Sequence, residues 1–285
     1  MGGLPGEAGI REWLRVLHEK FLDWKVHVST NLCGSEYVRD DESALLSRAN
    51  VINASKLHLD VSRRSFRAEN LSQCIGALIN NDASTARQFK DALSQYPLYV
   101  TRSLSAARSW LRNQRRGQER NGLLASSNAL RLKPDGIFVK SAVDPTQWFL
   151  APAHDVRSSC ALEDAASEFD VQGLELDWTC VCWDANLRRE GNEWVGYNFV
   201  GTKWQRINQS ERKKFLMNSY RVLLTRARQG MVIFVPYGDL HDDTRLPSLY
   251  DPIFNFLTSL GIPELAQQAM TTIQSSSVNE TELLA

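Results

Sequence analysis

Four short apolar runs, "PLYVT" from 97, "GLLASS" from 122, "ELDWTCVCW" from 175 and "MVIFVP" from 231, are separated by longer stretches, several of them with helical apolar spacing. Strands this apolar leave no face for water, and their alternation with helices of ten or more residues calls for a parallel sheet whose two faces are both covered. "KLHLDV" from 56 reads as a further strand, with helices expected over 68–80, 83–96, 104–113 and about 210–228. Together these define an α/β domain over 56–240, an expectation that fixes the fold class before any motif is considered. Residues 186–209, polar and punctuated by glycine, interrupt it as a hairpin or long loop beside the sheet. Beyond 240 a short helix near 252–260 and a polar, frayed tail are expected.

The amino-terminal stretch carries Ile10, Trp13, Leu14, Leu17, Phe21 and Leu22 at the spacing of a helix with one buried face, followed by a strand-like "KVHVS". Lysine and arginine number 33, as do aspartate and glutamate. No overall field therefore draws the protein to a polyanion, and any such contact has to come from a local patch. The five cysteines are odd in number and lack CxxC spacing, which argues for free thiols in a reducing compartment. Cys180 and Cys182 alternate on one strand and read as core packing. No apolar run approaches the roughly 20 residues of a membrane span. A soluble cytoplasmic protein is the expectation, with no membrane partner.

Three segments carry chemistry. In "LMNSYRVLLTRARQG", Leu216, Tyr220, Leu223, Leu224 and Ala227 make one helical stripe, Arg226 and Arg228 flank it, and Gly230 stands where a helix would end. Capping of a helix dipole by arginine explains this pattern as well as function does. "SEFDVQGLELD" reads as a turn entering a buried strand. "LDVSRRSFRAENL" places Arg63, Arg64 and Arg67 where a strand meets a helix, a location suited to phosphate and equally to a solvated turn.

Taken in chain order, "LDVSRRS", "VQGLELD" and "YRVLLTRAR", the three segments resemble the second RecA-like domain of superfamily 1 helicases, most closely the Schlafen-like DNA/RNA helicase domain family. The resemblance implies a RecA-like, P-loop NTPase-type parallel sheet with helices on both faces. It places Arg64 and Arg226 at the positions that reach the γ-phosphate, and Glu175 with Gly173 at the nucleotide sugar. Gln172 falls near the nucleic-acid strand, and Ser126 and Ser127 at the end of a strand bordering the nucleic-acid groove. The implied ligands are ATP with Mg2+ and single-stranded DNA or RNA.

Two departures accompany the likeness. No Gly-Lys dipeptide occurs, so there is no G-x-x-x-x-G-K-[ST] loop to cradle a triphosphate, and no acidic pair follows an apolar strand to hold the metal. Asp170 also stands where a basic or aromatic residue is usual. The resemblance then implies that residues 1–55 are the remnant of a first RecA-like domain plus connector, and that the nucleotide is held only with a P-loop-bearing half, as in a truncated or split gene product. The expected function is the C-terminal half of a nucleic-acid-dependent ATPase, inactive alone. A non-catalytic nucleic-acid- or protein-binding module with the same fold is the alternative. Trp194, Tyr197, Phe199 and Trp204, interleaved with Arg188, Arg189, Lys203 and Arg206, suit either base stacking or a hairpin packed on the sheet, the second being the plainer.

Overall fold

A computed structural model describes residues 10–29, 50–54, 57, 66–93, 95–140 and 143–265. The chain divides into two units, 1–65 and 66–285. The expected strand at 56–61 falls outside the described residues except for Leu57, and Arg63, Arg64 and Cys33 fall outside them altogether.

In the first unit, helix α1 (Ile10–Lys20) precedes a parallel pair of three-residue strands, β1 (Val26–Val28) and β2 (Val51–Asn53). Its small core joins Leu14 and Val28, with Val26 and Val51 against them. The uniformly buried helix face expected from the sequence is not found: Trp13 and Leu22 are 65% and 70% exposed, while His18 is buried.

The second unit opens with helices α2 (Phe66–Ile79) and α3 (Ala83–Ala92), the latter capped by Asp82, whose side chain accepts from the Thr85 N–H. Then follow β3 (Leu98–Thr101), α4 (Leu104–Gln114), β4 (Asn121–Ala125), α5 (Pro145–Leu150), β5 (Ala165–Ala166) and β6 (Leu176–Cys182). After them come β7 (Leu187–Glu190), β8 (Glu193–Val200) and β9 (Lys203–Arg206), then α6 (Ser210–Leu224), β10 (Ala227–Phe234) and α7 (Pro247–Ser259). Strands pair in the order β3-β10-β6-β4-β5, every pair parallel. The α/β, RecA-like class read from the sequence is the one observed.

Alternation along the strands supplies two cores. Met231, Ile233 and Val181 face one side, packed with Ile75, Leu78, Tyr220, Leu223 and Ile253 from α2, α6 and α7. Val232, Phe234, Cys180 and Cys182 face the other, with Ala107 and Leu111 of α4. At about 25 cal/mol per Å2 of apolar surface, burial on both faces is what makes so short-stranded a parallel sheet stable. Cys180 and Cys182 are wholly buried with their sulfurs 3.8 Å apart.

The second unit also differs from the sequence reading at several places, and α3 ends at Ala92 rather than 96. Helix α6 ends at Leu224 rather than 228, because the Thr225 hydroxyl turns back to the Arg221 and Val222 carbonyls (2.9 and 3.1 Å) and the ladder to β6 begins at once, Leu176 N–H donating to the Arg226 carbonyl at 2.9 Å. Gly230 is therefore no helix cap. It lies inside β10, where a Cβ would come within 2.6 Å of the Trp178 ring and 3.0 Å of the Pro97 carbonyl. Helix α7 starts at Pro247, five residues earlier than expected, and tolerates Pro252 inside it.

The interruption at 186–209 is an antiparallel meander, β7-β8-β9. Its aromatics pack inward, in keeping with the plainer reading. Trp194 stacks on Trp183 at 5.2 Å and donates to the Leu78 carbonyl, while Arg188 and Arg189, both nearly buried, lie over Tyr197 and Phe256 at 3.5 and 3.7 Å. Among the described residues no helix is long and apolar enough to cross a membrane.

Candidate functional site

Because the five strands run the same way, the sheet has one rim of strand beginnings and one of strand ends. Seven-residue β6 sets them about 20 Å apart at roughly 3.3 Å per residue. The candidate residues divide between these rims.

Gly173, Glu175 and Arg226 gather at the rim of beginnings, with Gln172 exposed on the turn that leads there. Arg226 Nε donates to the Val222 carbonyl at 3.0 Å, and Nη1 to the Leu174 carbonyl at 3.4 Å. The end of α6 is thus tied to the segment entering β6. Gly173 takes a φ of +84°, which lets the chain turn there without strain. Asp170, where a basic or aromatic residue is usual, serves the local backbone. Its Oδ2 accepts from the Ser167 N–H and hydroxyl at 2.8 and 2.7 Å, closing the start of the same turn.

Beneath Arg226 lies a polar network that sequence reasoning missed. Asp177, 4% exposed, accepts from the Arg120 N–H (2.8 Å) on one oxygen, and from Arg228 (2.6 Å) and Gln229 (3.1 Å) on the other. Gln229 also reaches Glu119 at 2.7 Å, and Glu119 accepts from Trp178 Nε1 at 3.0 Å. The Arg120 guanidinium donates to the Ala151 and Leu150 carbonyls. Burial opposes the Asp177 charge, but the Arg120 N–H, Arg228 and Gln229 outweigh it and leave the carboxyl below its ordinary pKa. The hydrogen bond from Arg228 to Asp177 raises the arginine correspondingly. The one sequence signal was the polar pair Arg228-Gln229 opening a strand.

Ser126 and Ser127 lie at the opposite rim. Ser126 is fully buried, its hydroxyl accepting from Asn186 Nδ2 (3.2 Å) and the Asn128 N–H (3.3 Å), so here it shapes the turn. Half-buried Ser127 gives its N–H and hydroxyl to the two Glu168 oxygens, both at 2.8 Å. Around them Asp184, Asn186, Tyr220 and Tyr250 form a sealed set. Tyr220 donates to Asn186 Oδ1 at 2.6 Å and Tyr250 to Asp184 Oδ1 at 2.9 Å, and the Asp184 N–H donates to Tyr220 at 3.2 Å. Burial pushes the Asp184 carboxyl up to about 6. Among the described residues no group of three or more His, Cys, Asp or Glu side chains is arranged to hold a metal.

The model of the Schlafen group 3, DNA/RNA helicase domain matches residues 7–237, from before α1 to just past β10. The chain belongs to that family. Membership carries a nucleic-acid-related, helicase-type function. Comparisons with curated proteins and with solved structures gave no match.

Proposed function

We propose that this Schlafen group 3 helicase domain serves as the second RecA-like half of a nucleic-acid-dependent ATPase, turning its rim of strand beginnings toward a nucleotide. The observation that carries the reading is the hydrogen bond from Arg226 to the Leu174 carbonyl, which brings the two motif segments into one corner.

The donor set suits part of a nucleotide and not all of it. Guanidinium groups at Arg226 and Arg228 suit phosphate oxygens, and the Glu175 carboxylate suits a sugar hydroxyl. The backbone cradle of a P-loop is absent from the sequence, so the triphosphate and its Mg2+ are held chiefly by a P-loop-bearing polypeptide. In that assembly Arg226, with Arg64 from the motif outside the described residues, neutralises charge on the phosphoryl oxygens, a role typically worth about 10³ to 10⁵ in rate. Glu175 orients the sugar. Gln172, on the turn at this rim, and Ser127, at the opposite rim, are the residues we assign to a single strand of DNA or RNA, with buried Ser126 shaping the turn beside Ser127.

The test is reconstitution with a P-loop-bearing half from the same family. Hydrolysis appears on mixing and falls at least about 10³-fold with Arg226→Ala. Robust magnesium-dependent turnover by the 285-residue chain alone, or a restored rate indifferent to Arg226→Ala, contradicts the proposal.

A further inference from the structure

Arg228 belongs to none of the motif positions, yet the backbone is shaped around it. Ala227 pairs with Leu176 and Gly230 with Trp178, so residues 228 and 229 together face the single residue Asp177. That is a β-bulge. In a regular strand these two side chains would point to opposite faces; the bulge turns both onto Oδ1 of the same buried carboxylate, at 2.6 and 3.1 Å. Asp177 is in turn fixed by the Arg120 N–H, and Arg120 by the Leu150 and Ala151 carbonyls at the C-terminal end of α5.

The result is a guanidinium anchored at one nitrogen and open elsewhere. The Arg228 side chain is 57% exposed while its partner's is 6% exposed, and Asp177 is its hydrogen-bond partner among the described residues. Nη1 and Nε are left for a ligand, two residues from Arg226 and within electrostatic reach of Glu175. Arg226 is in the opposite condition. Its Nε and Nη1 are engaged by the Val222 and Leu174 carbonyls, and its Nη2 by the Thr225 hydroxyl at 3.4 Å, so it reaches a phosphate only by leaving them.

We infer that Arg228 is the residue with which this rim first binds the phosphates of a nucleoside polyphosphate, while Arg226 in the same state positions the turn at 172–175. The inference rests on the nucleotide-facing reading above and adds a division of labour: Arg228 governs ground-state affinity, Arg226 the hydrolytic step. A fork already oriented by a buried carboxylate loses little side-chain entropy on binding, which is the physical advantage of the anchor.

The experiment is a titration of the full chain with magnesium-free ATP, followed by the side-chain Nε–H signals of 15N-labelled arginine. The Arg228 signal is expected to shift saturably. Arg228→Gln weakens the apparent affinity at least fivefold, Arg226→Gln less than twofold, and Arg228→Lys, which keeps the ion pair with Asp177 and so reports on folding, falls between. Unchanged affinity in Arg228→Gln, a saturable shift at Arg226 with none at Arg228, or no saturable shift at all overturns the inference. Its failure is separable from failure of the wider reading, since reconstituted hydrolysis lost with Arg226→Ala but kept with Arg228→Gln removes the role of Arg228 alone.

Discussion

At the rim of strand beginnings a buried carboxylate, Asp177, holds a guanidinium that is 57% exposed. At the rim of strand ends another buried carboxylate, Asp184, is enclosed by the Tyr250 hydroxyl and the Arg131 and Ala185 N–H groups, with no charged side chain among the described residues donating to it. The first arrangement keeps a charge in water and at a defined position. The second seals polar atoms inside the protein, where their hydrogen bonds join β4, β6, α6 and α7. Buried polar groups that satisfy one another specify architecture, whereas a buried anchor with an exposed partner presents a ligand-ready group. The candidates divide between the two rims: Arg226, Glu175 and Gly173 at the first, Ser126 and Ser127 at the second.

Substitutions at the sealed rim should act on stability. The largest effect is expected from Gly238→Ala, just after β10. There φ is +81° and a Cβ would lie 2.3 Å from the Arg245 carbonyl oxygen, so a loss of about 4 kcal/mol is expected from overpacking and a left-handed backbone together, read by urea unfolding. A loss below about 1 kcal/mol would mean that this loop is not held as described.

Next in size is a pH effect that runs in opposite senses at the two rims. Asp184, raised to about 6 from 3.8, binds its proton more tightly folded than unfolded, so its contribution is full below 3.8 and is lost as pH rises through 6. The span amounts to about 3 kcal/mol. Asp177 is lowered, so its contribution is present above the ordinary carboxyl value and is lost as pH falls through its folded pKa. Unfolding free energy measured across the weakly acidic range up to neutrality should therefore carry a falling component that Asp184→Asn removes. The same slope in both proteins would count against the enclosure of Asp184.

Tyr220→Phe follows, at about 2 kcal/mol, because it strips a donor from Asn186 Oδ1 and an acceptor from the Asp184 N–H in a fully buried site. Arg228→Gln is expected to be the mildest, below about 1 kcal/mol, since the guanidinium end of the pair is 57% exposed and the buried Asp177 keeps the Arg120 and Gln229 bonds. If Arg228→Gln proved as disruptive as Tyr220→Phe, the contrast between a presenting rim and a sealed one would be lost.

Much of this arrangement was legible in the residues, and the reasons for the exceptions are physical. Strands such as "MVIFVP" and "LDWTCVCW" announce themselves by apolar content, and the order of three short segments points to the family. The end of α6 did not show, because Leu223, Leu224 and Ala227 continue a helical stripe even though the ladder with β6 captures the backbone from Arg226 onward. Gly230 imitated a helix cap for the same reason. Its actual role, admitting the Trp178 ring, depends on a neighbour 52 residues away in sequence that only the strand register supplies. The Asp177 network was missed because an acidic residue inside "LELDWT" has no partner until β4 and β10 flank it. Arg64, on which half of the phosphate-sensing expectation rests, lies outside the described residues.

The nucleotide-facing role of the rim of strand beginnings shows in where a nucleotide approaches the sheet. Manganese-loaded ATP, added to the 15N-labelled chain mixed with an unlabelled P-loop-bearing half, should broaden the backbone signals of Gly173, Glu175 and residues 226–229 by paramagnetic relaxation, and leave those of 126–128 and 184–186 sharp. Broadening centred on Ser126, Asp184 and Asn186 would contradict it.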